Sequence, residues 1–214
     1  MLTIALAKGR TADDLWPLLR AASIPVPDSV ETSRALVFEV PAPSGARSSQ
    51  KVEFSIRYLL AKPADVPTYV HFGVADMGVV GKDVLLEADT DVYELLDLGA
   101  ARCALCVAGP SSNRRHPPRR VATKYPKLAE QYFLRQGLSV DIVPLSGSIE
   151  LAAVIGLTDC IFDLVETGRT LADNGLQVYD RVMEISARLI VNRSSYRLRR
   201  GEIGMVVEAL QSRQ

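Results

Sequence analysis

Asp163-Leu164-Val165-Glu166-Thr167-Gly168-Arg169-Thr170 follows directly on the apolar run Cys160-Ile161-Phe162. Leu157 to Val165 is apolar enough for a buried strand, and an aspartate near the end of such a run is costly to bury unless something binds or pairs with it. The Thr-Gly-x-Thr that follows supplies two hydroxyls and a glycine that lets backbone N–H groups approach a ligand. A helix-like start comes next at Thr170-Leu171-Ala172 and stops at Asn174-Gly175. Strand, turn and helix start in this order bind phosphate. An acid ahead of the cradle can accept hydrogen bonds from ribose hydroxyls, as in dinucleotide folds, so the implied ligand is a sugar phosphate. The plainer reading is a strand, turn and helix with a threonine N-cap.

Two more glycine turns repeat the pattern. Leu6-Ala7-Lys8-Gly9-Arg10 joins the apolar stretch Leu2 to Leu6 to a helical pattern from Thr11 (Leu15, Leu18, Leu19), an anion site with two cations added. Gly73 to Asp83 carries a third glycine-rich strand edge, with Asp76, Gly78 and Lys82. Each alone is weak, since a basic residue in a strand-to-helix turn is often a solvated surface charge.

Strand-like runs fall at 2–6, 35–40, 52–60, 75–80, 101–107, 120–123, 139–144, 160–165 and 188–191. Helical spacing falls at 11–22, 63–73, 125–137, 148–155 and 201–211. The alternation predicts α/β layers with largely parallel sheets. Pro41 to Gln50 reads as an exposed hairpin loop, and Gly109 to Arg120, with its four arginines, as a solvated loop rather than a nucleic-acid patch.

Composition narrows the function classes. Lys plus Arg equals Asp plus Glu at 25 each in 214 residues, so there is no bulk field for nucleic acid or membrane, and any polyanion site is local. There is no long apolar span and no signal-peptide pattern, so a cytoplasmic setting is expected. The three cysteines are expected as free thiols. In Cys103-Ala104-Leu105-Cys106, a strand over 98–108 points residues three apart to opposite faces, which disfavours a shared metal or disulfide.

The motifs Leu6 to Arg10, Asp65-Val66-Pro67-Thr68-Tyr69-Val70, Gly73 to Leu85, Val121-Ala122-Thr123-Lys124-Tyr125-Pro126, Gly147-Ser148-Ile149-Glu150-Leu151-Ala152, Asp163 to Leu176 and Ser186-Ala187-Arg188-Leu189-Ile190-Val191-Asn192 stand in a telling order. In that order and spacing the chain resembles, over nearly its whole length, the short form of ATP phosphoribosyltransferase, which opens histidine biosynthesis. The resemblance implies a two-domain type II periplasmic-binding-protein-like α/β fold with a ligand cleft between the domains. Domain I would be 1–97 plus 180–214 and domain II 98–179, with crossings near Leu98 and Tyr179.

It also implies the reaction: N1 of ATP attacks C1 of phosphoribosyl pyrophosphate, inverting that carbon and expelling pyrophosphate with substrate-bound Mg²⁺, with no protein metal ligand assigned. Asp163, Glu166, Thr167, Gly168, Arg169 and Thr170 would bind phosphoribosyl pyrophosphate, backbone N–H groups doing more than the Arg169 side chain. Asp163 would also face the developing ribosyl cation. Lys8 and Arg10 would counter the triphosphate or the pyrophosphate. Gly9, Asp76, Gly78 and Glu150 are the further candidates for the ATP side or the cleft. Asp76 as a turn residue, and Glu150 in a capping box or at a helix dipole, stay open. No general base is required, because adenine N1 already carries a lone pair.

After Asn192 only about one helix of chain follows, too little for a regulatory domain. Similarity to the short form therefore implies a histidyl-tRNA-synthetase-like regulatory subunit in a hetero-octamer. The rival readings are a non-catalytic solute-binding module of the same fold and a phosphoribosyltransferase for another acceptor.

Overall fold

The computed structural model describes residues 1–28, 34–42 and 54–212. The chain forms two compact units, Met1–Ala101 with Ser186–Gln214, and Arg102–Ile185.

The first unit contains β1 (Leu2–Ala7), α1 (Arg10–Ala21), β2 (Val37–Val40), β3 (Ile56–Ala61), α2 (Val66–His71), β4 (Met77–Gly81), α3 (Lys82–Ala88) and β5 (Tyr93–Asp97). In the second unit lie β6 (Cys103–Pro110), β7 (Arg120–Thr123), α4 (Pro126–Arg135), β8 (Asp141–Pro144), α5 (Ile149–Val154), β9 (Cys160–Val165), α6 (Arg169–Asp173) and β10 (Leu176–Ile185). The chain then returns to the first unit with β11 (Ala187–Val191), α7 (Arg193–Leu198) and α8 (Arg200–Gln211).

The first unit's sheet runs β2-β3-β1-β4-β11-β5. Leu2, Ile4 and Leu6 face one core with Leu15, Trp16 and Leu19 of α1 and Ile203 and Val206 of α8. Ala5 and Ala7 face the other, with Val66 and Val70 of α2 and Val84 of α3. A strand covered on both faces is apolar at nearly every position, which is why 2–7, Thr3 apart, shows no alternation. At the centre, Tyr58 is fully buried, donates its hydroxyl to Pro25 O at 2.7 Å and meets Trp16 edge-on at 5.2 Å.

In the second unit the order is β10-β6-β9-β7-β8. Helix α4 covers one face through Ala129 and Phe133, and α5 and α6 cover the other through Ile149, Ala152 and Leu171. Alternation along β6 puts Cys103 on the α4 face with Leu105 and Val107, and Cys106 on the opposite face. Cys103, Cys106 and Cys160 are all buried and free.

Three expectations change. The sheets are mixed rather than largely parallel: β3-β1-β4 and β9-β7-β8 are parallel, and every other pairing is antiparallel. The strand expected over 98–108 starts at Cys103, because Gly99 (φ 63°) and Ala101 (φ 50°) take left-handed backbone that breaks an extended run. Helix α7 and strands β5 and β10 come from stretches without a clear apolar period. The hairpin expectation at 41–50 falls largely outside the described residues, although β2 and β3 do pair antiparallel.

Candidate active site

The second unit gathers its chemistry at the carboxyl ends of β9, β7 and β8. Thr123 is level with both Phe162 and Pro144, so β7 and β8 end at one height and β9 runs three residues further, through Asp163 to Val165. Open α/β sheets bind ligands outside such strand ends.

Asp163 is half-buried on β9, and its Oδ1 accepts from Leu164 N–H at 2.9 Å. Glu166 and Thr167 are exposed, and Thr167 Oγ1 is 3.4 Å from Arg169 N. Gly168 caps α6 with φ 74°, a left-handed conformation that costs a side-chain-bearing residue about 1–2 kcal/mol. A Cβ there would meet only Val165 Cγ1, at 3.9 Å, so the glycine serves backbone conformation rather than space. The first-turn N–H groups of α6 have no intrahelical acceptor, and they follow directly on the glycine. Arg169 is 86% exposed and lies near Asp173, one helical turn on, at 3.8 Å. Its charge is engaged along the helix, whereas Thr170 and the turn amides remain at the strand end. Asn174 closes the helix by donating Nδ2 to Thr170 O at 2.8 Å.

Beside this turn, Ser148 holds φ 47° at the start of α5 and makes no side-chain cap bond. A capping box is therefore not formed. Glu150 sits half-buried in the first turn of α5, where the helix dipole favours its charge.

In the first unit, β1 and β3 end at one height, and the parallel β4 runs one residue further, to Gly81. Ala7 is level with Ala61, and Lys8 N–H donates to Ala61 O at 2.9 Å. Lys8 is exposed; Gly9 turns the chain with φ 87°, and Arg10 opens α1.

Asp76 and Gly78 do not join that edge. Asp76 precedes β4, at the amino end of the parallel strands. Its carboxylate accepts from Thr3 N–H at 2.8 Å, Ser195 Oγ at 2.7 Å and Arg199 Nη1 at 2.7 Å. It is a structural knot between β1, α7 and the start of α8. Gly78 is buried inside β4, where a Cβ would lie 2.7 Å from Val70 Cγ2, so the glycine lets α2 pack on the sheet.

Sequence reading left two residues of these edges without a role. Lys62 is the first residue after β3, level with Lys8, and Lys124 is the first after β7. Both are exposed. The signal available was the strand end itself: a cation directly after an apolar run that leads into a helix.

A separate cavity of about 240 Å³ lies at the amino end of β9, lined by Cys160, Asp159, Tyr132 and Tyr179 among others. Burial pushes the Cys160 thiol up to about 12, helped by the Asp159 charge, and burial pushes the Tyr179 hydroxyl up to about 12. Asp159 is held below its usual range, first by the Arg120 N–H and also by the Arg119 N–H, at 2.9 and 2.7 Å.

Among the described residues no three His, Cys, Asp or Glu side chains form a metal cluster, and no helix is long and apolar enough to cross a membrane.

Comparison with known proteins places this arrangement. A periplasmic His/Glu/Gln/Arg/opine family-binding protein from Silicibacter pomeroyi, in complex with lysine, matches with TM-score 0.60 at 13% identity. The match covers 99% of this chain and 90% of that one, and identifies a type II periplasmic-binding-protein-like fold. The ATP phosphoribosyltransferase (HisG) family model matches residues 62–212. The ATP phosphoribosyltransferase of Geobacillus kaustophilus is 51% identical over 211 residues, 98% of this chain and 97% of its own. In the ATP phosphoribosyl transferase (HisG:HisZ) complex from Thermotoga maritima, a chain 33% identical matches with TM-score 0.79 over 99% of this chain and 98% of that one. The chain belongs to the ATP phosphoribosyltransferase family.

Proposed function

We propose that the chain transfers the 5-phosphoribosyl group of phosphoribosyl pyrophosphate to N1 of ATP and releases pyrophosphate, the first step of histidine biosynthesis. The observation that carries this is the Asp163–Thr170 turn at a parallel strand's carboxyl end in a chain of this family. The amides of the Thr167–Thr170 turn and the two threonine hydroxyls hold the 5-phosphate, with Glu166 at the turn's edge. Asp163 holds ribose hydroxyls and opposes the positive charge that grows on C1 as the pyrophosphate leaves. Lys8 and Arg10, with Gly9 giving the backbone turn, counter a polyphosphate. Glu150 reaches the ribose or the adenine edge.

Both substrates are polyanions, so neutralisation and alignment supply most of the catalysis, with stabilisation of the ribosyl cation as the charge-specific part. The lone pair on N1 forms the new C1–N1 bond, and the electron pair of the breaking C1–O bond leaves with magnesium pyrophosphate, so no protein base is needed for attack. Mg²⁺ enters with the substrate and lowers the charge of the departing diphosphate.

The two compact units serve as the two domains, one for each polyanion. The enzyme works in the cytoplasm with a histidyl-tRNA-synthetase-like regulatory subunit, in a hetero-octamer. A HisG:HisZ complex in a relative supports that partner.

The test is incubation with ATP and magnesium phosphoribosyl pyrophosphate, with and without the synthetase-like subunit, following phosphoribosyl-ATP and pyrophosphate together. Equimolar products are expected, with the partner raising turnover and conferring histidine inhibition. Binding of both substrates with no product in either condition would favour the solute-binding alternative and reject this reading.

A further inference from the structure

The sequence contains six lysines: Lys8, Lys51, Lys62, Lys82, Lys124 and Lys127. Four of them are the first residue after a parallel strand: Lys8 after β1, Lys62 after β3, Lys82 after β4 and Lys124 after β7. Composition alone would leave most such positions without one. Lys82 is tied to Glu94 at 2.5 Å. Lys8, Lys62 and Lys124 are exposed and make no ion pair among the described residues, whereas Arg57, Arg188, Arg193 and Arg199 each pair with a carboxylate. An arginine fork suits fixed protein carboxylates, and a lysine is a flexible point charge suited to the freely rotating oxygens of a polyphosphate.

The positions are rigid even though the side chains are not. Thr123 is fully buried and its Oγ1 accepts from Tyr125 N–H at 2.8 Å; Tyr125 is itself buried, and Pro126 starts α4. This fixes the backbone on both sides of Lys124, whose ammonium lies 5.9 Å from the neighbouring Tyr125 ring centroid. Lys124 is the residue after Thr123, whose register partner Phe162 is followed on β9 by Asp163, so the lysine leaves β7 at the step where β9 carries the aspartate. Lys62 comes level with Lys8 in the same way, one step past Ala7–Ala61, and its own backbone is extended, ahead of the turn at Pro63–Asp65.

We propose that Lys62 and Lys124 are further substrate-binding residues. Lys124 holds the diphosphate of phosphoribosyl pyrophosphate, and Lys62 joins Lys8 in holding the triphosphate of ATP. The assignment rests on the phosphoribosyl-transfer reading of the site. It follows from which strand end each lysine shares. A substrate with its 5-phosphate in the turn after β9 and its ribose on Asp163 presents the C1 diphosphate toward a neighbouring strand, and β7 carries the lysine. The Lys8–Lys62 pair, on the first unit's sheet, then remains for the second polyanion.

The experiment uses the full chain and its variants Lys62→Gln and Lys124→Gln, with Lys127→Gln as an exposed control on α4. Calorimetry would measure affinity for magnesium phosphoribosyl pyrophosphate, inorganic pyrophosphate and ATP, with melting temperatures confirming that each variant folds. Loss of one charge-assisted contact predicts a weakening of about tenfold or more. Lys124→Gln should lose that much for phosphoribosyl pyrophosphate and pyrophosphate while keeping ATP within about twofold, the range of an ordinary surface substitution. Lys62→Gln should show the reverse. A folded variant that keeps its assigned ligand within about twofold rejects that lysine, and exchanged effects reject the division between ligands. If the unsubstituted chain binds neither substrate, the transferase reading falls and this one with it; normal binding by all four proteins rejects the lysine assignment alone.

Discussion

Replacing Asp76 by asparagine tests whether a carboxylate in a glycine-rich segment belongs to the site or to the scaffold. The side chain is 15% exposed and accepts three hydrogen bonds, from Thr3 N–H, Ser195 Oγ and Arg199 Nη1, all within 2.8 Å. Asparagine keeps one acceptor oxygen and turns an NH₂ group toward donors. One or two contacts are lost and the Arg199 charge loses a partner. Breaking a buried ion pair from one side costs about 3–5 kcal/mol. Two features reduce that here: Arg199 is 28% exposed, and its Nε keeps Glu202 at 2.9 Å. The expected net loss is about 2–4 kcal/mol, which for a chain of this size lowers the melting temperature by about 5–15 °C. Differential scanning calorimetry would give the shift, and titration below the new transition would give substrate affinities, expected within about twofold of the unsubstituted chain. A melting temperature changed by less than about 2 °C, with tenfold weaker binding of ATP or phosphoribosyl pyrophosphate, would refute the structural assignment.

Thr170→Ala should weaken phosphoribosyl pyrophosphate by about 1.5–3 kcal/mol with little change in stability, measured by calorimetry on folded protein; unchanged affinity would remove the turn from the site. Asp163→Asn should cut turnover by about 10–100-fold and binding by much less, because the charge matters most against a cationic transition state; equal small effects on both would make Asp163 structural. A Cys103→Ser, Cys106→Ala double variant should keep full activity at a packing cost of about 1–3 kcal/mol, and zinc analysis of the purified protein should find no stoichiometric metal. Alkaline pH should destabilise the fold. Burial favours the neutral Cys160 thiol, so its contribution is whole below the ordinary value of 9.0 and is lost as pH rises toward about 12. Melting temperatures followed across that window should fall less steeply in Cys160→Ala, and identical slopes would show that the thiol stays ionisable in place.

The elements legible in the sequence were those with a local signal. The strand read at 120–123 is β7, and the helix at 201–211 is nearly all of α8, because a continuous apolar run or a 3.6-residue period marks each. Strand β10 carries Asp180, Arg181 and Glu184 on exposed positions, and two register shifts against β6 break its alternation. Strand β5 looks polar because Glu94 and Asp97 are answered from the next strand by Arg188, at 3.3 and 2.9 Å, a partner far off in sequence. Strand direction has no period at all, so mixed sheets and parallel ones read alike. The same limit explains the site. The turn at 163–170 is self-contained and could be read, whereas an aspartate at a strand's start and one at its end have the same neighbours in sequence. Thr3, Ser195 and Arg199, 73, 119 and 123 residues away, reveal which kind Asp76 is.

The place of β11 in the first unit's sheet has a bearing on how the chain matures during synthesis. Among the described residues strand β5 pairs only with β11, and β11 fills the gap beside β4, yet 84 residues of the second unit (102 to 185) separate β5 from it. The second unit is continuous and has all five of its strands once Ile185 has left the ribosome. The first unit, begun earlier, must wait with an unpaired β4 edge until Val191 emerges. The part synthesised first is thus completed last, and interruption before β11 leaves an open strand edge, which is a template for aggregation.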